Sequence, residues 1–206
     1  MRFCHEQGVI HRDVRPHNVV VNHHAKQVRS ITTVRHATRR LNRNFQLRLV
    51  GWGSAAFHQP QASHTVCISL FMAPELLVDW HQYDYRLDMW GVGTILASMV
   101  FRREPFFYGC DTADMLRSIT KILGTDGLFE FLRDFNLELD GDIVEALGFR
   151  PHRPWSSFMT DENKMNADVE AIDLIEKILR YNPAVSPPLT IQKEAFADGT
   201  TATLVS

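Results

Sequence analysis

Apolar positions follow two different rules along this chain. Up to about residue 51 they come in short β-branched or alternating runs; beyond Ala73 they recur every three or four residues. Val19-Val20-Val21 reads as a short strand, and Phe45-Gln46-Leu47-Arg48-Leu49-Val50 alternates in the manner of a strand that pairs with it. Met1 to Gln7 suits the last turns of a helix stopped by Gly8. Asn22 to Asn44 is polar and basic without a period and reads as a long loop. Gly51 to Met72 shows no helical period either, and Pro60 works against one.

From Ala73 onward the pattern predicts helices. Pro74 sits at a first turn ahead of Glu75-Leu76-Leu77. Leu87 to Phe101 is apolar around nearly its whole circumference, which predicts the helix that the others pack on. Asp111-Thr112-Ala113-Asp114 resembles a cap before an amphipathic helix through Leu116, Ile119, Ile122 and Leu123, stopped by Gly124. Shorter pieces follow near Leu128–Phe135 and Ile143–Leu147. A helix from about Ala167 to Tyr181 places Ile172, Ile175, Ile178 and Leu179 on one face, before Pro183, Pro187 and Pro188. The tail from Gly199 is small and polar and is expected to fray.

Composition adds bounds. With 206 residues, 45% hydrophobic and 22% charged, the chain fits a soluble globular protein of one domain or slightly more. Cys4, Cys67 and Cys110 form no close pair, so a reduced, intracellular setting (cytoplasm or nucleus) is expected rather than a disulfide framework. The amino terminus has no signal-peptide core, and Met89–Phe101 falls short of the roughly 20 apolar residues a membrane span requires. Charge is uneven. Residues 14–74 hold no Asp or Glu and eight Lys or Arg, so the net −2 of the whole leaves −10 on the remainder. A solvated basic loop explains that stretch; an anion-binding surface for nucleic acid or another polyanion is the sharper alternative. Aromatic residues are nearly absent between Lys26 and Arg43, which weighs against a base-stacking platform.

One octapeptide carries chemistry. His11-Arg12-Asp13-Val14-Arg15-Pro16-His17-Asn18 reads H-R-D-x-x-x-x-N. An aspartate there can accept a hydroxyl proton, and an asparagine five residues on can present a carbonyl oxygen to a metal ion. Gly51-Trp52-Gly53 and Ala73-Pro74-Glu75 follow in the order of the metal-binding tripeptide and the end of the activation segment of protein kinases. Tryptophan within the tripeptide is similar to the casein kinase 2 catalytic subunit. So are Pro74-Glu75-Leu76-Leu77-Val78-Asp79, Tyr83-Asp84-Tyr85, Leu87-Asp88-Met89-Trp90 and Phe101-Arg102-Arg103-Glu104-Pro105-Phe106-Phe107. The chain thus resembles the C-terminal lobe of a Ser/Thr protein kinase. That implies a mainly α fold, a helical bundle with a short β-hairpin carrying the catalytic loop. The partial kinase domain would span 1–196 with a basic insertion at about 27–44, and a flexible tail would span 197–206.

The resemblance assigns roles. Asp13 matches the catalytic base and Asn18 a metal and cofactor ligand. Arg15 stands where the family has a lysine on the transferred phosphate, a swap that keeps charge but not shape. His11, Arg12, Asp88 and Glu75 match structural supports, Asp88 holding the catalytic-loop backbone. ATP and Mg2+ are the implied cofactors, and two departures oppose them. The family's metal-binding aspartate is replaced by Gly51, with no acid nearby in the segment. A metal contributes several kcal/mol, so its loss slows transfer by about a thousandfold or more. Only ten residues precede His11, so a glycine-rich loop, strand lysine and helix glutamate are expected to be absent. A third departure removes a basic partner: the arginine that pairs with Glu75 in the family falls on Pro187-Pro188. The substrate-reading segment, Cys67-Ile68-Ser69-Leu70-Phe71-Met72, has no positive charge, which opposes acidic-substrate preference.

The expectation is therefore a kinase lobe with transfer lost or badly impaired. It retains a docking role for a protein partner or an absent N-terminal lobe, around Phe106, Phe107, Tyr108 and the helix from Asp111. A piece of a longer active kinase is the alternative. Gly51-Trp52-Gly53-Ser54-Ala55-Ala56 also satisfies a dinucleotide fingerprint, but that mechanism requires a helix directly after it. Cys4, His5 and His11, or His23-His24, lack zinc-ligand spacing.

Overall fold

Val19–Val21 does form a strand, and its pairing organises the first part of the chain. The computed structural model describes residues 1–23, 27–30, 45–58, 71–80 and 82–182. These fall into two compact units, one comprising Met1–His58 and the other the described part of Gln59–Pro187.

In the first unit, α1 (Arg2–Glu6) ends at Gly8, whose φ of +79° is a left-handed turn that glycine adopts without steric cost. β1 (Val9–Ile10) pairs antiparallel with β5 (Ala56–Phe57). The second sheet has the order β3-β2-β4, with β2 (Val19–His23) between β3 (Gln27–Ser30) and β4 (Phe45–Leu49). Val19 faces Leu49 and Val21 faces Leu47, the pairing read from the alternation. The expected two-stranded hairpin is thus corrected to three strands. Gln27–Ser30, expected to open a loop-like insertion, instead pairs with β2, Val20 facing Ser30. Unpaired N–H and C=O groups on β2's second edge explain this: a polar segment can satisfy them through its backbone alone. Residues 31–44 lie outside the described ones. Ala56–Phe57 is a second strand that periodicity did not indicate.

The second unit is helical: α2 (Pro74–Leu77), α3 (Arg86–Phe101), α4 (Thr112–Leu123), α5 (Asp126–Asp134), α6 (Gly141–Leu147) and α7 (Val169–Ile178). α3 buries residues on all sides, Leu87, Trp90, Ile95 and Val100 among them. α7 crosses it closely because Gly93 has no side chain; a Cβ there would stand 2.6 Å from Ile178 Cγ2. The caps read from sequence form. Asp111 Oδ1 accepts from Asp114 N at 2.8 Å, and Gly124 ends α4 at φ +78°. α7 is shorter than the expected 167–181. Beyond it, Tyr181 turns away to donate its hydroxyl to Gly124 O at 2.6 Å, and burial pushes its phenol well above the usual range.

An aromatic cluster closes the core. Phe101 stacks on Phe106 and Trp155 with centroids 5.7 and 6.0 Å away, and Trp90 stacks on Phe107 at 5.7 Å. Phe106 and Phe107 are each only 1% exposed and belong to the core, whereas Tyr108, at 60%, meets solvent. The buried Asn163 is satisfied throughout: its Nδ2 donates to Phe101 O and Phe158 O, and its Oδ1 accepts from Thr160 N. Among the described residues no helix is long and apolar enough to cross a membrane.

Glu75 is a buried acid, 3% exposed, in α2. No ion pair reaches it among the described residues; Pro187-Pro188, the position expected for its basic partner, lies outside them. Burial raises its pKa from 4.5 to about 7; a backbone hydrogen bond opposes this, and Asp84 adds to it. An acid whose pKa rises on folding stabilises most when protonated. Its contribution is full below pH 4.5 and is lost as pH climbs through about 7. Over that interval the linkage amounts to about 3 kcal/mol. Thermal melts should therefore show the wild-type protein losing stability between pH 5 and 8, with Glu75→Gln removing that slope and melting higher at pH 8. A slope unchanged by the substitution would contradict the assignment.

Candidate functional site

The octapeptide bridges the two small sheets of the first unit, and each of its key side chains is held from the chain around residue 50. His11 is 1% exposed. Its Nδ1 accepts from Asp13 N at 3.2 Å, and its Nε2 lies 3.1 Å from Val50 O. A backbone N–H can only donate and a carbonyl can only accept, so the proton sits on Nε2. The Trp52 indole meets the His11 ring edge-on at 4.5 Å and donates its own N–H to Leu49 O at 3.1 Å. Arg12 takes a left-handed φ of +64°, a costly conformation for a residue with a Cβ. Its Nε donates to Ser54 O at 2.6 Å, which fixes the turn from across the site.

Asp13, Arg15 and Asn18 come together as the resemblance implied. Pro16–Asn18 forms a 3-10 turn closed by Asn18 N donating to Arg15 O, and Asn18 O accepts from Val50 N at 2.8 Å, continuing the β2–β4 pairing. The Asn18 side chain is 9% exposed as a residue and turns inward. Its Nδ2 donates to both the main-chain oxygen and Oδ2 of Asp13, each at 2.8 Å. Arg15 Nε stands 3.2 Å from Asp13 Oδ1, but no N–H is aimed along that line, so the contact is coulombic and weak at this exposure. Asp13 therefore already has a neutral amide donor at Oδ2 and a guanidinium near Oδ1.

Gly51 has a φ of +83°, again left-handed. A Cβ built on it would fall on the Asn18 carboxamide, 2.6 Å from Cγ and 2.8 Å from Nδ2. The space that a side chain at 51 would need is thus occupied by Asn18. This sets the fit for magnesium, which takes one or two carboxylates together with phosphate oxygens. The first unit's acids through residue 58 are Glu6 and Asp13 alone, and Glu6 is paired with Arg2 at 2.7 Å. Asp13 is engaged by Asn18 and Arg15, and Gly51 offers no side-chain oxygen. The residues present do not fit the ion.

The other two residues expected as supports, Asp88 and Glu75, belong to the second unit. Asp88 is 1% exposed in the first turn of α3, and Glu75 is the buried acid of α2. Gly51-Trp52-Gly53 leads into a 3-10 turn (Trp52–Ser54) and then β5, not into a helix, so the dinucleotide fingerprint lacks its phosphate-binding element. The region Cys67–Ser69-Leu70 and most of the basic stretch, Lys26 and Arg35 to Arg43, lie outside the described residues. Trp52 stands out in the sequence as a family marker, and in the fold it is the wall behind His11. A tryptophan three residues past a strand end, able to reach back to Leu49, was the available signal.

Asn18 and Gly51 should be energetically coupled. Asn18→Ala removes two hydrogen bonds to Asp13 and should cost about 1–3 kcal/mol. Gly51→Ala should cost about 1–2 kcal/mol for its left-handed backbone, plus the collision with Asn18. In denaturant melts the double variant should lose less than the two single losses combined, because the collision is gone. Strict additivity would contradict this geometry.

A family model described as the protein kinase domain matches residues 1–190. With that match spanning most of the 206 residues, and with the H-R-D loop folded around Asp13 and Asn18, the chain belongs to the protein kinase domain family.

Proposed function

We propose that this chain is the C-terminal lobe of a Ser/Thr protein kinase of casein kinase 2 type, with phosphoryl transfer lost or strongly reduced. The family's reaction moves the terminal phosphoryl group of ATP to a protein hydroxyl. In that reaction Asp13 would accept the hydroxyl proton and Arg15 would face the transferred phosphate. The observation that supports impairment is the Asn18 carboxamide: it binds Asp13 through Nδ2 and covers Gly51 where an acidic ligand would stand. Magnesium's role of neutralising phosphate oxygens then falls to no residue of the site. Before Asp13 could take a proton, it would also have to exchange Asn18's N–H for the substrate's O–H.

The casein kinase 2 assignment is supported by its sequence register: the tryptophan-centred tripeptide, Leu87-Asp88-Met89-Trp90 and Phe101–Phe107. A second reading is that the lobe works within a longer kinase. The formed loop favours it, since hydrogen bonds from His11, Arg12 and Asn18 hold the H-R-D segment in a defined conformation. An in-frame kinase N-terminal lobe upstream of Met1 in the transcript would support that reading, while leaving Gly51 unchanged.

Calorimetric titration of the full chain with ATP and magnesium should give no saturable heat below the millimolar range. Radiolabel transfer to peptide should fall about a thousandfold or more below that of a kinase with its metal in place. Micromolar ATP binding, or ready transfer that Asp13→Asn abolishes, would overturn the proposal.

A further inference from the structure

A cavity of about 420 Å³ lies in the second unit, along the polar side of α4. Four of its lining residues are cations, Arg103, Arg117, Lys121 and Arg153, against one acid, Asp114. We propose that this cavity binds a phosphorylated side chain of a partner protein.

The cations are brought there by three separate segments. Arg103 follows the left-handed end of α3, its N–H donating to Ser98 O at 3.0 Å. Arg117 and Lys121 stand one turn apart on α4. Arg153 N donates to Ile122 O at 2.8 Å, which lashes the chain before the 3-10 turn Trp155–Phe158 to the end of α4. Asp114 is taken by Arg117 at 2.5 Å. Arg103, Lys121 and Arg153 have no carboxylate partner among the described residues, so the cavity holds a local excess of three positive charges.

Two of those cations are held by aromatic faces rather than by acids. The Arg153 guanidinium lies 4.4 Å above the Phe158 ring while its Nε donates to Ser157 Oγ at 2.8 Å. The Arg103 guanidinium lies 5.7 Å from the Phe106 centroid. Such contacts restrict the side chains without neutralising them. Ser118 Oγ accepts from Tyr108 N at 3.0 Å, leaving its hydroxyl hydrogen to donate into the cavity.

This arrangement suits a phosphate monoester better than a carboxylate. Three uncompensated cations match a charge of about −1.5 to −2, and guanidinium forks match phosphate oxygens. Tyr108, 60% exposed at the rim, offers an aromatic face to residues beside the phosphate, which favours a protein-borne group over a free ion. The proposal needs neither Gly51 nor ATP, so it stands or falls separately from the reading of transfer chemistry.

The test is fluorescence anisotropy of a labelled phosphoserine peptide with the full chain, run without nucleotide. The phosphopeptide should bind at least about tenfold tighter than its serine form and weaken as salt is raised. Lys121→Glu should cut that affinity about tenfold, and so should Arg153→Glu; Arg153→Lys should retain part of it. Lys121 is exposed, so its reversal tests the site with the fold intact, as a matching thermal melt would verify. Equal binding of the two peptides, or an unaltered affinity in a folded Lys121→Glu protein, would overturn the proposal. So would inorganic phosphate alone binding as tightly as the phosphopeptide, since the natural occupant would then be a free anion.

Discussion

A single amide group sets the character of the H-R-D loop. Asn18 Nδ2 donates to the Asp13 main chain and to its carboxylate, while the same carboxamide fills the volume beside Gly51. The loop is otherwise triangulated from the end of β4: Val50 offers its carbonyl to His11 and its N–H to Asn18, and Leu49 takes the Trp52 indole. Position and purpose are therefore separable here. Backbone bonds fix where Asp13 stands, and the Asn18 side chain decides what Asp13 faces.

The second unit obeys a different constraint, the burial of nearly the whole of α3. A helix apolar all round must be enclosed, and the enclosure is built from small gaps and aromatic stacks. Gly93 admits Ile178, while Phe101, Phe106 and Trp155 stack beside the helix's end. A carboxyl caught in such an interior has no water to share its charge. Glu75 therefore holds its proton to about pH 7, which couples the unit's stability to acidity near neutrality.

Local signals made much of this legible. Alternation at Phe45–Val50, the stop at Gly8, the Asp111 cap and the Gly124 stop each depend on a few neighbouring residues, and each was met. Gln27–Ser30 was not legible because its strand state comes from pairing with β2 and not from its own composition. The end of α7 was misjudged because Tyr181's bond to Gly124 is 57 residues removed in sequence. At the site, spacing alone brought out Asp13 and Asn18. The left-handed turn at Gly51 and the Asn18 amide that covers it needed coordinates. The cationic cavity was hidden for the same reason, since α5 and α6 lie in the chain between Arg153 and the other two arginines, Arg103 and Arg117.

These two sites differ in how much geometric loss they tolerate. Phosphoryl transfer needs several oxygens placed around one ion, so on the proposed reading one glycine in place of an acid would remove most of the rate. Recognition of a phosphate by four cations is redundant. Arg117 is half-committed to Asp114, and the remaining charges still outweigh that acid. On the proposed reading, a chain with Gly51 at the metal-ligand position would still keep an anion-recognising face, because its energetics depend on summed charge and held guanidinium groups rather than on a single coordinated centre.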